Sequence, residues 1–462
     1  MAAVGLHRFG APLIRPARKL LLPRWSTAAG AAQSQEVPVS DPETKVTRLS
    51  NGLTVASQDN KDFPTCTVGL WIDSGSRFET RETNGVANFV ERMLVKGTKR
   101  QEVNAYTSRE QTAYYARVLP KDLPQAVDTL SDMVQNSTLD EKEIEKERGI
   151  ILKDIQKLQT KVEEAVFEHL HFIAYQDTPM SWPTLGTSEN VVNISRKDLA
   201  DYISTHYTAP RMVLAAAGGV NHEALVSLAE KRFSGLSSNK HVEVAPCWYT
   251  GSEVRIRDDD MPYAHVVLAV EGVGWTHPNY IPMMIARQLV DNWDRSVIYD
   301  TSSGHFPNRL VRNISPSNGA RSFMSFNRSY TDTGLWGIYF VADRMHIEDF
   351  VWNIKEEWHR IRTGASHAEV ARAKNALKQN LLKQLDSSTP VCDDIGRQML
   401  AYGRRIPLSE WYDRIEQVDA KAVTKAMDEH MWDKCPVVVG IGPIEQLPEY
   451  IRLRGDMKWR RL

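Results

Sequence analysis

Five polar side chains lie at spacings that could bring them together. Asn88, Glu91 and Arg92 are three and four residues apart, so on a helix they share one face. Glu147 and Asp154 are seven residues apart and share a face of a second predicted helix. A carboxylate such as that of Glu91 can activate water for hydrolysis when a metal ion acidifies that water. The five side chains could therefore converge on one point, where a carboxylate would need a metal ion to act in hydrolysis, and solvated or paired helix residues are the alternative.

The residue types argue against a metal ion. Zinc prefers histidine nitrogen, cysteine sulfur and carboxylate oxygen, whereas Asn88 offers only a neutral amide. The guanidinium of Arg92 has only donors and stays protonated, so it would place a fixed positive charge where a dication should bind. We predict that the protein binds no metal and has no catalytic residue, and that Glu91 is an ordinary helix residue. We also expect Arg92 to pair with Asp154 or Glu147 through charge-assisted hydrogen bonds.

Helices within a larger repeat must position these side chains. Apolar residues spaced three and four apart along 86–94 form a stripe that must face a core. The same order of elements appears twice along the chain, which indicates an internal duplication. In the first half the predicted elements are a hairpin at Asn51-Gly52, a half-buried strand at 66–72, a helix at 86–94, a strand at 112–118, a helix at 123–134 and a strand at 213–219. In the second half they are a looser turn at Thr250-Gly251 and then segments 265–270, 281–290, 335–341, 347–361 and 437–442.

Each half also contains a long helix that opens with a predicted capping box. The first pairs Thr138 with Glu141, and the second pairs Ser366 with Glu369. In such a box the side chains of the two residues satisfy each other's backbone N–H groups. The two boxes predict helix starts at equivalent points of the two halves.

The order of elements indicates the fold class. Neither half alternates strands and helices regularly, so the sequence predicts an α+β fold. We expect two homologous domains, each a mostly antiparallel sheet with helices packed mainly on one face. The predicted domains are residues 41–236 and 247–462, and a linker at 237–246 joins them.

The composition excludes several classes of function. The chain of 462 residues carries 57 basic and 58 acidic side chains, and this net charge of -1 gives no reason to expect nucleic acid as a partner. No run approaches the roughly 18 consecutive apolar residues that would span a bilayer, so we expect no direct membrane span. Cys66, Cys247, Cys392 and Cys435 lie far apart without a Cys-x-x-Cys pair, so we predict four free thiols. The same pattern predicts no haem, iron–sulfur cluster or other cofactor.

The first segment differs from the rest of the chain. Residues 1–35 contain no Asp or Glu, whereas five Arg or Lys residues are spread among Leu, Ile, Phe and Trp. An arginine-rich, acid-free amphipathic segment is typical of a mitochondrial transit peptide. We predict a transit peptide and flexible lead at residues 1–40.

The motif Asn88-x-x-Glu91-Arg92, followed by a distant acidic helix, resembles the pitrilysin-type inverted zinc peptidases, whose signature is His-x-x-Glu-His. In that family two histidines and a later glutamate bind zinc, and the motif glutamate activates water. The resemblance places Asn88 and Arg92 at the histidine positions, Glu91 at the glutamate and Asp154 at the distant ligand. All three ligand positions differ, and Asp154 is one methylene shorter than glutamate. The resemblance therefore implies a degenerate zinc motif in a pitrilysin-like fold.

Longer stretches are similar to one branch of this family, the core subunits of the mitochondrial cytochrome bc1 complex. These stretches are residues 67–80, 209–219, 402–408 and 442–448. The resemblance implies a non-catalytic scaffold subunit on the matrix side of the inner membrane, paired with core protein 2 and other bc1 subunits and holding no redox centre. Two alternatives remain open. One is the β subunit of the mitochondrial processing peptidase, and the other is a binding protein that holds presequence peptides or other extended peptides between its halves.

The chain departs from the family near residues 100–104. About one helix is missing there, because only Gln101-Glu102-Val103 separates the helix that ends near Arg100 from the next strand. Losing this segment could expose apolar surface and an unpaired strand edge in the first domain. Assembly into a complex is the expectation that this departure most weakens.

Overall fold

The computed structural model describes residues 42–96, 103–239, 244–296, 308–315 and 320–458. The predicted transit peptide and most of the shortened segment near residues 100–104 lie outside these ranges. Among the described residues, no helix combines the length and the apolar composition needed to cross a membrane.

The first half forms a six-stranded sheet with strands in the order β1-β2-β6-β3-β5-β4. The strands are β1 (Thr44–Arg48), β2 (Thr54–Asp59), β3 (Cys66–Ile72), β4 (Val103–Thr107), β5 (Thr112–Val118) and β6 (Met212–Gly218). The helices are α1 (Val86–Lys96), α2 (Leu123–Gln135), α3 (Glu141–Thr160), α4 (Val162–Ala174), α5 (Ser188–Asn193), α6 (Arg196–His206) and α7 (His222–Arg232). Strands β2 and β6 pair in parallel, and the other pairs are antiparallel.

The second half forms a six-stranded sheet in the order β7-β12-β8-β11-β10-β9. The strands are β7 (Glu253–Arg257), β8 (Ala264–Glu271), β9 (Asn292–Asp294), β10 (Ala320–Ser329), β11 (Gly334–Ala342) and β12 (Val437–Gly442). The helices are α8 (Tyr280–Val290), α9 (Arg309–Ile314), α10 (Ile347–Gly364), α11 (His367–Lys383), α12 (Ser388–Tyr402), α13 (Leu408–Gln417), α14 (Ala420–Met431) and α15 (Tyr450–Asp456). Here β7 and β12 form the parallel pair.

The strand orders confirm the predicted duplication and the α+β class. Strands β7, β12, β8, β11 and β10 follow one another as β2, β6, β3, β5 and β4 do in the first sheet. In the second sheet β9 continues beyond β10, whereas β4 is the edge strand of the first sheet in the part of the chain that the structure describes. Among the described residues, the first sheet therefore has no counterpart of β9.

The two predicted turns have different outcomes. The Asn51-Gly52 hairpin is confirmed, because β1 and β2 pair antiparallel around it and Gly52 has the positive φ of 97° that favours glycine. The equivalent turn at Thr250-Gly251 is wrong, since residues 244–252 form no strand and β7 pairs in parallel with β12 instead. Gly251 is needed there for close approach, because an added Cβ would lie 2.3 Å from the Cβ of Cys435.

The two predicted capping boxes also differ. Ser366 and Glu369 form the expected reciprocal bonds at the start of α11. The box of Thr138 and Glu141 is wrong, because Asp140 caps α3 and accepts a hydrogen bond from the Lys142 backbone N–H. The chain turns at Leu139, whose φ is 44°, so the helix begins two residues later than a cap at Thr138 would require.

Each sheet is covered on its second face by a helix from the other half of the chain. Helix α12 packs on β3 and β6, and α4 packs on β8 and β12. The strand predicted at residues 66–72 is confirmed, but its predicted half-buried character is wrong: all of β3 is buried, with its second face against α12. The Trp71 indole N–H lies in this interface and donates to Asp393 over 3.1 Å.

The close contact between α12 and the first sheet requires a glycine. An added Cβ on Gly396 would lie 2.1 Å from Cδ2 of Trp71, which is fully buried. We expect Gly396→Ala to lower the free energy of unfolding by about 2 to 3 kcal/mol through overpacking. Gly149, on the exposed face of α3, has no atom within 4 Å of its added Cβ, so Gly149→Ala should stabilise by up to about 1 kcal/mol through helix propensity. Urea denaturation of both variants checks this pair, and equal effects would contradict the packing argument.

A buried charge cluster also joins the halves. Arg77 donates to both carboxylate oxygens of Asp332, over 2.8 and 2.6 Å, and to Glu110 over 2.6 Å. It also donates to the carbonyl of Ala245, over 3.2 Å. Glu110 accepts from the backbone N–H of Thr331, over 3.1 Å. The cluster therefore ties a loop of the first half to the linker region and to the turn between β10 and β11.

Candidate active site

Helix α1 is held in place from two directions. Its apolar stripe, which includes Phe89 and Val90, is fully buried in the core of the first half. The carboxylate of Glu79 accepts from the backbone N–H groups of Gly85 and Ala87, over 2.8 Å each, and so satisfies donors at the start of the helix. Complete burial raises the pKa of Glu79 to about 8, while these donors act in the opposite sense. Sequence reasoning missed this residue, although an acid shortly before a helix is a recognisable signal.

The face of α1 that carries Asn88, Glu91 and Arg92 meets α3. The Arg92 guanidinium donates to Asp154 over 2.9 Å and to the Asn88 side-chain oxygen over 3.1 Å. The Asn88 amide in turn donates to Glu91 over 3.3 Å. The structure therefore brings four of the five predicted residues into one hydrogen-bonded chain, and the predicted pairing of Arg92 with Asp154 is confirmed.

Glu147, the other predicted partner of Arg92, pairs with a different cation. Its side chain is 3 % exposed and forms an ion pair with Lys96, at the end of α1. Sequence reasoning missed Lys96, although residues 88, 92 and 96 are spaced by four and must share one helix face. Two cations of α1 thus face two carboxylates of α3.

The charges of the site are set by these contacts. The hydrogen bond from Arg92 lowers the pKa of Asp154, and Lys157, 3.3 Å away, acts in the same direction. Burial raises the pKa of Glu91, and Arg92 and Asn88 only partly oppose this. Asp154 is therefore held as a carboxylate, whereas the ionised form of Glu91 is disfavoured relative to an exposed glutamate.

The donor set does not fit zinc. The guanidinium of Arg92 contacts both Asn88 and Asp154, so a permanent cation occupies the point where the three ligand positions converge. Arginine cannot supply a lone pair, and the remaining amide and carboxylate fall short of the three protein ligands of a catalytic zinc site. Within the described residues there is no cluster of three or more His, Cys, Asp or Glu side chains placed to hold a metal ion.

The site opens into a cavity between the halves. Asn88 lines this cavity of about 390 Å³ together with Glu163 and Glu168 of α4 and Arg328 of β10. One residue of the second half, Arg328, therefore lines the same cavity as Asn88. A ligand bound here would touch both halves of the chain.

Comparison with known proteins places these observations in a family. The model of the insulinase family, peptidase family M16, matches residues 54–188, and the model of the M16 inactive domain matches residues 193–377. The chain is 49 % identical to the mitochondrial-processing peptidase subunit beta of Bos taurus, over 94 % of this chain and 90 % of that protein. It is 45 % identical to the mitochondrial cytochrome b-c1 complex subunit 1 of Bos taurus, over 97 % of this chain and 96 % of that protein.

A solved structure has the same fold. A chain of complex III2 from Candida albicans, with Inz-5 bound, superposes with a TM-score of 0.84 at 30 % identity, covering 90 % of this chain and all of that one. The matches extend over both halves, and the family model that covers much of the second half is that of the M16 inactive domain. The chain therefore belongs to peptidase family M16.

Proposed function

We propose that this protein is a non-catalytic scaffold subunit of the mitochondrial cytochrome bc1 complex, the ubiquinol–cytochrome c oxidoreductase, and carries no redox centre of its own. The observation that carries the loss of peptidase activity is the ion pair between Arg92 and Asp154, which occupies the position where the family binds zinc. Without a metal to acidify water, Glu91 alone does not make a hydrolase. The five residues Asn88, Glu91, Arg92, Glu147 and Asp154 are then the remnant of a peptidase site.

The relatives support a place in the complex. Proteins named as subunit 1 of the cytochrome b-c1 complex match almost the whole chain, and a complex III chain shares its fold. The processing-peptidase β subunit is the second candidate, since its 49 % identity is close to the 45 % of subunit 1. Overall identity does not separate the two, but peptide hydrolysis needs a working metal site, and the chemistry of Arg92 argues against one.

The proposal includes a partner, a location and domain limits. Core protein 2 is the expected direct partner, and contact with other bc1 subunits would hold the protein at the matrix side of the inner membrane. Presequence peptides remain possible ligands of the space between the halves. We place the transit peptide and lead at 1–40, the two domains at 41–236 and 247–462, and the linker at 237–246.

Native gel electrophoresis tests the proposed function. Mitochondrial membranes solubilised in a mild detergent should show this chain in the same band as core protein 2 and the cytochrome subunits. The same fraction, purified through a tag on this chain, should not cleave a presequence peptide. Migration only as a small soluble species would contradict the scaffold role, and peptide cleavage with stoichiometric zinc would favour the processing peptidase.

A further inference from the structure

A second cavity between the halves is distinct from the remnant of the peptidase site. Its volume is about 480 Å³, within the range of small-molecule sites. Its walls come from the end of β4, the end of β10 and helix α12, and include Tyr106, Arg328, Ser329 and Arg397. Arg328 also lines the cavity that contains Asn88. The two cavities therefore adjoin at Arg328.

Arg328 is a cation without a polar partner. Its guanidinium carbon lies 3.9 Å from the centre of the Phe167 ring, yet it forms no hydrogen bond or ion pair with any residue that the structure describes. The neighbouring Arg109 is already paired with Glu168 over 2.8 Å. Burial is the main cause that lowers the pKa of Arg328, and the like charge of Arg109 acts in the same direction, whereas Tyr330, Glu168 and Glu163 oppose it. A guanidinium with five donors is thus held at the boundary of the cavity at an electrostatic cost.

Polar atoms beside Arg328 also lack partners. Ser329 Oγ and Asn327 Oδ1 are buried and make no hydrogen bond within the described residues. Both residues line the same cavity. Buried polar atoms are almost always hydrogen-bonded, so these two atoms are unsatisfied polar groups at the end of β10. Because successive side chains of a strand point to opposite faces, they lie on the face of β10 opposite to Arg328.

The acids that line this cavity already have donors. Asp393 accepts from the Trp71 indole over 3.1 Å and from the Tyr106 hydroxyl over 2.8 Å. Glu110 is engaged by Arg77. Arg397, on α12, is half exposed, and its one ion-pair contact within the described ranges is with Asp393 at 3.6 Å. Two guanidiniums with donor capacity to spare therefore line the cavity, one from β10 and one from α12.

We propose that this cavity binds a ligand that carries a carboxylate group, held between Arg328 and Arg397. A carboxylate accepts two parallel hydrogen bonds from a guanidinium. The rings of Trp275 and Tyr106 provide an apolar wall for the rest of the ligand. The carboxylate can belong to a small free dicarboxylic acid or to the end of a peptide. This inference does not depend on the scaffold role, and its failure would leave that role unaffected.

Calorimetric titration of the full chain tests the site with three probes: succinate, a hexapeptide with a free C-terminal carboxylate, and the same peptide amidated. The wild-type protein should bind succinate or the free-acid peptide, and the amidated peptide should bind at least tenfold more weakly than the free acid. Arg328→Met and Arg397→Met should each weaken binding of the carboxylate probes at least tenfold. Arg321→Met is the matched control, because Arg321 lies on the same strand and stacks on Tyr263 outside the cavity.

The probes also distinguish the source of the carboxylate. Tighter binding of the free-acid peptide than of succinate would indicate a peptide end, and binding of succinate alone would indicate a small acid. If Arg328→Met fails to fold, Arg328→Lys keeps the charge without the paired donors and should still weaken binding. Absence of binding by every probe, measurable binding of both peptides with equal affinity, or unchanged affinity in Arg328→Met and Arg328→Lys would overturn the proposal.

Discussion

Changing Asn88 and Arg92 to histidine and Asp154 to glutamate is expected to raise the affinity for zinc by about 10⁴-fold or more, roughly 5.5 kcal/mol. The physical reason is that the three positions already converge, since Arg92 contacts both Asn88 and Asp154. Two imidazoles four residues apart on a helix, with a longer carboxylate from α3, would replace a fixed cation by a tetrahedral set of the kind that zinc prefers. Elemental analysis and competition with a chelator measure the change.

Two further variants control this experiment. The pair Gln125→His and Thr129→His places imidazoles at the same spacing on α2 without a third ligand designed to face them, and should bind zinc much more weakly than the triple variant. Adding Glu91→Gln to the triple variant should keep the zinc but abolish any peptide hydrolysis that the zinc supports. Stoichiometric zinc in the wild-type protein, or no gain in the triple variant, would contradict our interpretation of the site.

Local patterns predicted much of this structure. The apolar stripe placed α1 correctly because helix periodicity depends only on neighbours in sequence, and the strand at 112–118 has the predicted limits. The pairing of Arg92 with Asp154 was also accessible, because a guanidinium at a helix surface needs an acceptor and few acids share its side of the fold.

The error about burial arises where distant parts of the chain meet. Strand β3 has an alternating pattern typical of one exposed face, yet α12 of the second half covers that face. No local signal in the sequence predicts that a helix from the other half packs there. The role of Gly396 is likewise invisible in sequence, because it depends on the Trp71 ring. The cap at Thr138 failed for a local reason, since Asp140 competes for the same function and lies closer to the helix.

Replacing Arg77 by methionine is expected to lower the free energy of unfolding by about 3 to 5 kcal/mol. The Arg77 side chain is 2 % exposed and the Glu110 side chain 9 %. Methionine would fill the space but leave the buried Glu110 carboxylate without a charged partner. Among the described residues, its remaining donor would be the backbone N–H of Thr331. Because the cluster joins the halves, we also expect urea denaturation of this variant to separate into two transitions, one for each half.

The loss should depend on pH in a defined direction. Burial already raises the pKa of Glu110 in the folded protein, and Arg77 opposes that rise. Without Arg77 the folded pKa rises further above its unfolded value, near 4.3, so the variant keeps most stability below that value and loses it as the pH rises through the folded pKa. Urea denaturation at about pH 5 and about pH 8 should therefore show that Arg77→Met loses more free energy of unfolding, relative to the wild type, at about pH 8.

Two controls separate this effect from the general removal of an arginine. Arg257 is 54 % exposed and pairs with Asp259 over 2.8 Å, so Arg257→Met should change stability by less than about 1 kcal/mol. Adding Glu110→Met to Arg77→Met removes the unpaired acid and should restore part of the stability together with its pH independence. If Arg77→Met were as mild as Arg257→Met, or if its deficit were the same at both pH values, the cluster would be a peripheral contact, and the junction of the halves would rest on α4 and α12 alone.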